Sequence, residues 1–170
     1  TASSDLGIVM ESNEVATTVA GRVEPVSGPV FISGRQYSGN TLVTSIIQRI
    51  PGCFAIRNEG EFFERRYVFD HIADDAERAR CVVNNLKLSD EQLTTQAGEW
   101  LTSWVRAHPH ADALAIYRET MRFLTETTGN QFWAQKATSY VFHAREILIS
   151  MPDARMVYLM RNPYDLCASS

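Results

Sequence analysis

The chain has 170 residues, 45% of them hydrophobic, which suits one globular domain with an ordinary core. Its net charge of −4, without a basic run, excludes the electrostatic footprint of a nucleic-acid binder, and no apolar stretch approaches the ~18 residues of a membrane-crossing helix. Cys53, Cys81 and Cys167 lack metal-ligand spacing and are expected to be reduced structural thiols in a cytoplasmic protein.

Residues 1–28 show no sustained periodicity and are expected to form an N-terminal extension, closed by the turn formers Pro25, Ser27 and Gly28. A short buried strand is expected over 30–33. From Thr41 onward, Leu42, Val43, Ile46, Ile47 and Ile50 recur at helical spacing, and Pro51-Gly52 ends that helix. A second strand is expected over 53–56, followed by an acidic turn over 57–61.

The middle reads as helical. Phe62, Phe63, Tyr67, Val68 and His71 share one face, and 74–86 forms another helix. Ser89 is placed to cap a third, whose first turn is acidic and whose stripe is Leu93, Trp100, Leu101, Trp104 and Val105. Pro109 interrupts the pattern, flanked by His108 and His110 at the surface, and 112–125 resumes it. Then come a strand over 131–136, a helix over 141–149 and a strand over 155–160. Pro163 opens a new helix at a position where its missing N–H costs nothing. Strands alternating with helices predict βαβ units, an α/β fold and a mainly parallel sheet over 29–170, with a helical insertion in the middle. The last helix reaches Ser170 without a stop signal, so the domain is expected to be C-terminally incomplete, with a missing segment or a second chain to finish it.

In such sheets ligands gather at the carboxyl ends of strands, where Gly34 and Arg161 both stand. Gly34-Arg35-Gln36-Tyr37-Ser38-Gly39-Asn40-Thr41 joins a strand to a helix N-terminus. That arrangement collects unpaired N–H groups and a positive dipole end around an anion. The glycines keep the spacing of the phosphate loop G-x-x-x-x-G-K-[ST], but Asn40 replaces its lysine, which disfavours a magnesium-dependent nucleotide hydrolase. Ser38, Asn40, Thr41 and Arg35 remain as anion ligands; a plain glycine turn is the alternative. Arg161 and Ser169, about two helical turns apart, would grip one phosphate together, or be a surface arginine and a helix serine. Glu59 and Glu61 offer a general base toward an acceptor hydroxyl, or simply a solvated acidic turn.

In this order the motifs resemble the sulfotransferases that use 3′-phosphoadenosine 5′-phosphosulfate (PAPS). The stretch from Ile32 to Leu42 is similar to that family's 5′-phosphosulfate loop, F-I-x-G-x-x-[RK]-S-G-T-T-L. The stretch from Val157 to Ser169 is similar to its 3′-phosphate segment, R-D-P-x-D-x-x-x-S. Trp133-Ala134-Gln135-Lys136-Ala137-Thr138 resembles its W-x-x-K-T-P element. The resemblance implies a three-layer, P-loop-like fold and in-line transfer of a sulfuryl group to a hydroxyl or amine, releasing adenosine 3′,5′-bisphosphate without a metal. It implies that Arg35, Gln36, Tyr37, Ser38, Gly39, Asn40 and Thr41 surround the donor's 5′ end, and that Arg161 and Ser169 hold its 3′-phosphate. Glu61 best occupies the region of the family's base, with Glu59 second and His71 a weaker rival.

Tyr37 stands where the family carries a cation, so Arg35 or Lys136 has to supply the charge. Asn162 replaces an aspartate, and Ala137-Thr138 replaces Thr-Pro. The acceptor would be a small molecule or carbohydrate, not a nucleic acid or a membrane. Phe62, Phe63, Trp100, Trp104 and Phe132 are available to an apolar acceptor pocket, although core packing accounts for them. The alternatives are a non-catalytic nucleotide-binding protein on the same fold and a P-loop small-molecule kinase.

Overall fold

Short strands with apolar side chains on both faces need cover on both sides, and the chain supplies it. The computed structural model describes residues 28–160 and Asn162; the N-terminal extension, Arg161 and Ser169 lie outside the described residues. Strands β1 (Val30–Gly34), β2 (Cys53–Glu59), β3 (Phe132–Lys136) and β4 (Arg155–Leu159) form one parallel sheet in the order β2-β3-β1-β4.

Side chains alternate across this sheet with a period of two. On one face Val30, Ile32, Cys53, Phe132 and Ala134 meet Val43 and Ile47 of helix α1 (Asn40–Ile47). On the other, Phe31, Ile56 and Trp133 enter the larger core. That core is completed by α2 (Phe62–Asp70), α3 (Asp75–Asn85), α4 (Glu91–Ala107), α5 (Ala113–Thr127) and α6 (Ala144–Ser150). Helices on both faces make three layers.

Aromatics knit the larger core. Phe62 stacks on Tyr117 with ring centroids 4.1 Å apart, and Phe31 meets Trp133, Tyr140 and Phe63 edge-on. Phe62, Phe63 and Phe132 are thus core residues, while Trp100 and Trp104 pack half-buried against its rim. His108 and His110 are at the surface.

Several boundaries differ from the sequence reading. Helix α1 stops at Ile47, and Leu42, Ile46 and Ile50 are exposed, because only a narrow stripe of so short a helix reaches the sheet. Strand β2 runs on through the expected acidic turn to Glu59. Tyr67, Val68 and His71 are exposed; α2 is anchored instead by Phe62, Phe63 and Phe69. Asp90 rather than Ser89 caps α4, its carboxylate accepting the Leu93 N–H at 2.9 Å. Asp74 and Asp112 cap α3 and α5 in the same way, and each such cap stabilises its helix by about 1 kcal/mol. The expected helix over 141–149 shortens to α6, and a 3-10 turn (Thr138–Val141) precedes it.

Cys53 lies in the smaller core, and burial pushes its thiol up to about 11. Since only the thiolate attacks, alkylation by iodoacetamide at pH 8 is expected to spare Cys53 in the native protein and to modify it in urea. Mass spectrometry of the native adduct would show this. Rapid native labelling of Cys53 would mean that β2 opens readily.

Candidate functional site

After β1 the chain crosses toward β3 and β2, whereas after β3 it crosses back over β1 to β4. This reversal makes the carboxyl end of β1 the sheet's switch point, and the glycine loop starts there.

The loop is locked from inside. Asn40 donates from Nδ2 to the Gly34 carbonyl at 3.0 Å, and a Cβ on Gly34 would meet Asn40 Oδ1 and Leu159 O at 2.7 Å. Ser38 donates its N–H to Arg35 O at 3.1 Å, closing a turn in which Tyr37 (φ 65°) is left-handed, and Gly39 (φ 96°) just after it is left-handed too. That conformation is cheap for glycine and strained for tyrosine. Gly39 is the N-cap of α1 and brings no capping side chain, so it leaves the helix's opening N–H groups to another acceptor.

Two side-chain oxygens of the loop, Ser38 Oγ and Asn40 Oδ1, are buried without a hydrogen-bond partner among the described residues. A buried orphan hydroxyl beside a helix N-terminus suits an anionic ligand's oxygen. The Asn40 amide, in contrast, faces inward as a clasp on the loop. Its lysine-replacing position therefore contributes shape rather than charge.

Charge comes from β3. Lys136 ends that strand, and its Nζ donates to Thr41 Oγ1 at 3.0 Å. Ser33 ties the end of β1 to the 3-10 turn that follows β3: its Oγ donates to Thr138 O at 3.2 Å and accepts the Val141 N–H at 3.1 Å. Arg35, Gln36 and Tyr37 lie exposed on the loop's outer side.

The two candidate carboxylates have different surroundings. Glu61 precedes α2 and is ion-paired to Lys87 and Arg65, each at 3.0 Å. The Lys87 hydrogen bond, ahead of the positive charges around it, holds its carboxyl below the usual range. Glu59 ends β2 in register with Lys136, across an irregularity between Ile56 and Glu59, and is exposed. Among the described residues it enters no ion pair. His71 sits exposed at the end of α2, its ring nitrogen 2.7 Å from Tyr67 O.

Between the carboxylates, the Gly60 N–H donates to Lys136 O at 2.8 Å. Below it Tyr117 and Tyr140 both donate to Gln135 Oε1, at 2.7 and 2.5 Å, in a fully buried cluster. A Cβ on Gly60 would lie 1.8 Å from Tyr140 Oη. Sequence reasoning passed over this support. Its only trace is one glutamine inside the apolar run Phe132-Trp133-Ala134-Gln135.

Among the described residues no three or more His, Cys, Asp or Glu side chains gather to hold a metal, and no helix is long and apolar enough to cross a membrane. A family profile described as "Sulfotransferase family" matches residues 29–170. No curated protein and no solved structure matches the chain.

Proposed function

The chain belongs to the sulfotransferase family, and on that footing we propose that it transfers a sulfuryl group from PAPS to a hydroxyl or amine of a small-molecule or carbohydrate acceptor. The carrying observation is the orphan Ser38 hydroxyl at the start of α1, with the Lys136 ammonium on Thr41 beside it. The loop's N–H groups and Ser38 would hold the donor's 5′ end. Arg161 and Ser169 would hold its 3′-phosphate.

The reaction needs alignment of donor and acceptor, and positive charge where the bridging oxygen becomes an anion. Lys136 is placed to supply that charge, with Arg35 as the outer cation. An acceptor proton must also be removed. Glu59, beside Lys136 and outside any ion pair among the described residues, suits this role better than Glu61. Two cations already stabilise the Glu61 carboxylate, which lowers its basicity.

Radiolabelled PAPS and an acceptor panel test the transfer, and calorimetry with adenosine 3′,5′-bisphosphate tests the donor site separately. Glu59→Gln is expected to lower kcat about 10²-fold or more with bisphosphate affinity unchanged, and Glu61→Gln by less than about tenfold. The opposite order would make Glu61 the base. Arg161→Ala should weaken bisphosphate binding about 10- to 100-fold, the worth of one charge-assisted contact. Unchanged affinity would place the 3′-phosphate elsewhere.

A further inference from the structure

The chain is acidic overall, and several cations of the described structure are spent on carboxylates: Arg65, Arg66, Arg78, Arg80, Lys87 and Arg122 all form ion pairs. Arg49, Arg57 and Lys136 form none among the described residues. These three converge on a groove of ≈ 560 Å³ that runs beside α1 and over the β2 edge of the sheet, and no carboxylate lines it.

The neutral walls of this groove sharpen its character. The Thr44 and Ser45 hydroxyls donate to the carbonyls of Asn40 and Thr41 at 2.8 and 2.9 Å, so their protons are committed to the helix. Beside the amide of Gln48, what the groove offers a ligand is therefore chiefly positive charge. Three cations outside ion pairs among the described residues, around one concavity, focus potential there and draw in an anion.

Position decides which anion. Thr41 belongs both to this groove and to the glycine loop, and Lys136 lines the groove while bonding to Thr41, so the groove opens from the point where sulfur would be transferred. Arg57 lies on β2 just before Glu59, on the strand that carries the candidate base. Resting on the sulfuryl-transfer reading above, we propose that this groove is an acceptor subsite for an acidic group. The acceptor would carry a carboxylate or sulfate ester, which Arg49 and Arg57 bind while its hydroxyl reaches the donor.

A matched pair of ligands tests this: 4-nitrophenyl β-D-glucuronide and 4-nitrophenyl β-D-glucoside, which differ at one carboxylate. Both are titrated calorimetrically into the whole chain, with and without saturating adenosine 3′,5′-bisphosphate. The glucuronide is expected to bind at least about tenfold tighter, and raised salt should shrink that preference. Arg57→Gln and Arg49→Gln should each cost about tenfold for the glucuronide and little for the glucoside. The double variant should bind the two alike, with bisphosphate affinity and urea midpoint unchanged.

Equal affinity for both glycosides, or no binding of either, overturns the proposal. So does a parallel loss of bisphosphate affinity in the variants, which would assign the groove to the donor. Failure of the wild-type chain to bind the bisphosphate would sink the donor reading instead, and the glucuronide preference without bisphosphate still reports on the groove.

Discussion

Lys136→Met is expected to lower kcat for sulfuryl transfer about 10²- to 10³-fold, the usual cost of removing one preorganised group at a developing negative charge. The reasoning is positional. Asn40 occupies the phosphate-loop lysine position but turns its amide onto Gly34 O, and Tyr37 stands where a loop cation is otherwise found. Lys136 touches the loop through Thr41 Oγ1. Methionine keeps the length and apolar stem of lysine at the end of β3, so the fold should persist and the loss should fall on kcat more than on KM for PAPS. Arg35→Gln, at an exposed turn position, should cost less than about tenfold. Steady-state kinetics of both variants check the ranking, and the reverse order would move the catalytic charge to Arg35. Tyr37→Lys in the Lys136→Met background should recover part of the loss. Lysine at that left-handed position carries no more backbone strain than tyrosine already does.

Gly60→Ala should lower folding stability by about 3 kcal/mol, the upper end for overpacking, because the new methyl would fall 1.8 Å from Tyr140 Oη. The neighbours cannot easily yield. Tyr140 is fully buried and tied to Gln135, which also accepts from Tyr117, and Gly60 itself is held by its N–H on Lys136 O. Tyr140→Phe removes the clashing oxygen while leaving the ring. Gly60→Ala combined with Tyr140→Phe should therefore be less damaging than the sum of the two changes, by at least about 1 kcal/mol in urea titrations. Strict additivity would show that the methyl is accommodated elsewhere. Catalysis should suffer as well, since Gly60 spaces Glu59 from Glu61 and splices β2 to the Lys136 end of β3.

The sheet and its glycine loop were legible because their signals are local. Short apolar runs, the glycine pair Gly34 and Gly39, and the polar residues between them encode strand, turn and helix start within a few positions. Side-chain assignments in the helical middle were less legible. Whether Tyr67 or Phe69 faces inward depends on how α2 lies against α5, and periodicity over so short a helix does not decide it. The ranking of Glu61 over Glu59 came from the family resemblance, which is blind to side-chain partners. Lys87, from beyond α3, is what ties Glu61 up, and that partnership spans 26 positions. Asn40 looked like a ligand by its place in the motif, yet it is buried because Gly34 needs a clasp. The grouping of Arg49, Arg57 and Lys136 required the register of three elements before it could be seen.

The strand order has a consequence for biosynthesis. Both partners of β1 are encoded far downstream: Val30 pairs with Ala134 on one side and Arg155 on the other. At about 5–20 residues per second of translation, β1 waits on the order of 5–20 s for its first neighbour. Meanwhile α3, α4 and α5 can pack on one another through contacts close along the chain. The emerging chain is therefore expected to present a ready helical cluster and an unpaired apolar strand, which makes β1 a natural target for holding chaperones until β3 leaves the ribosome.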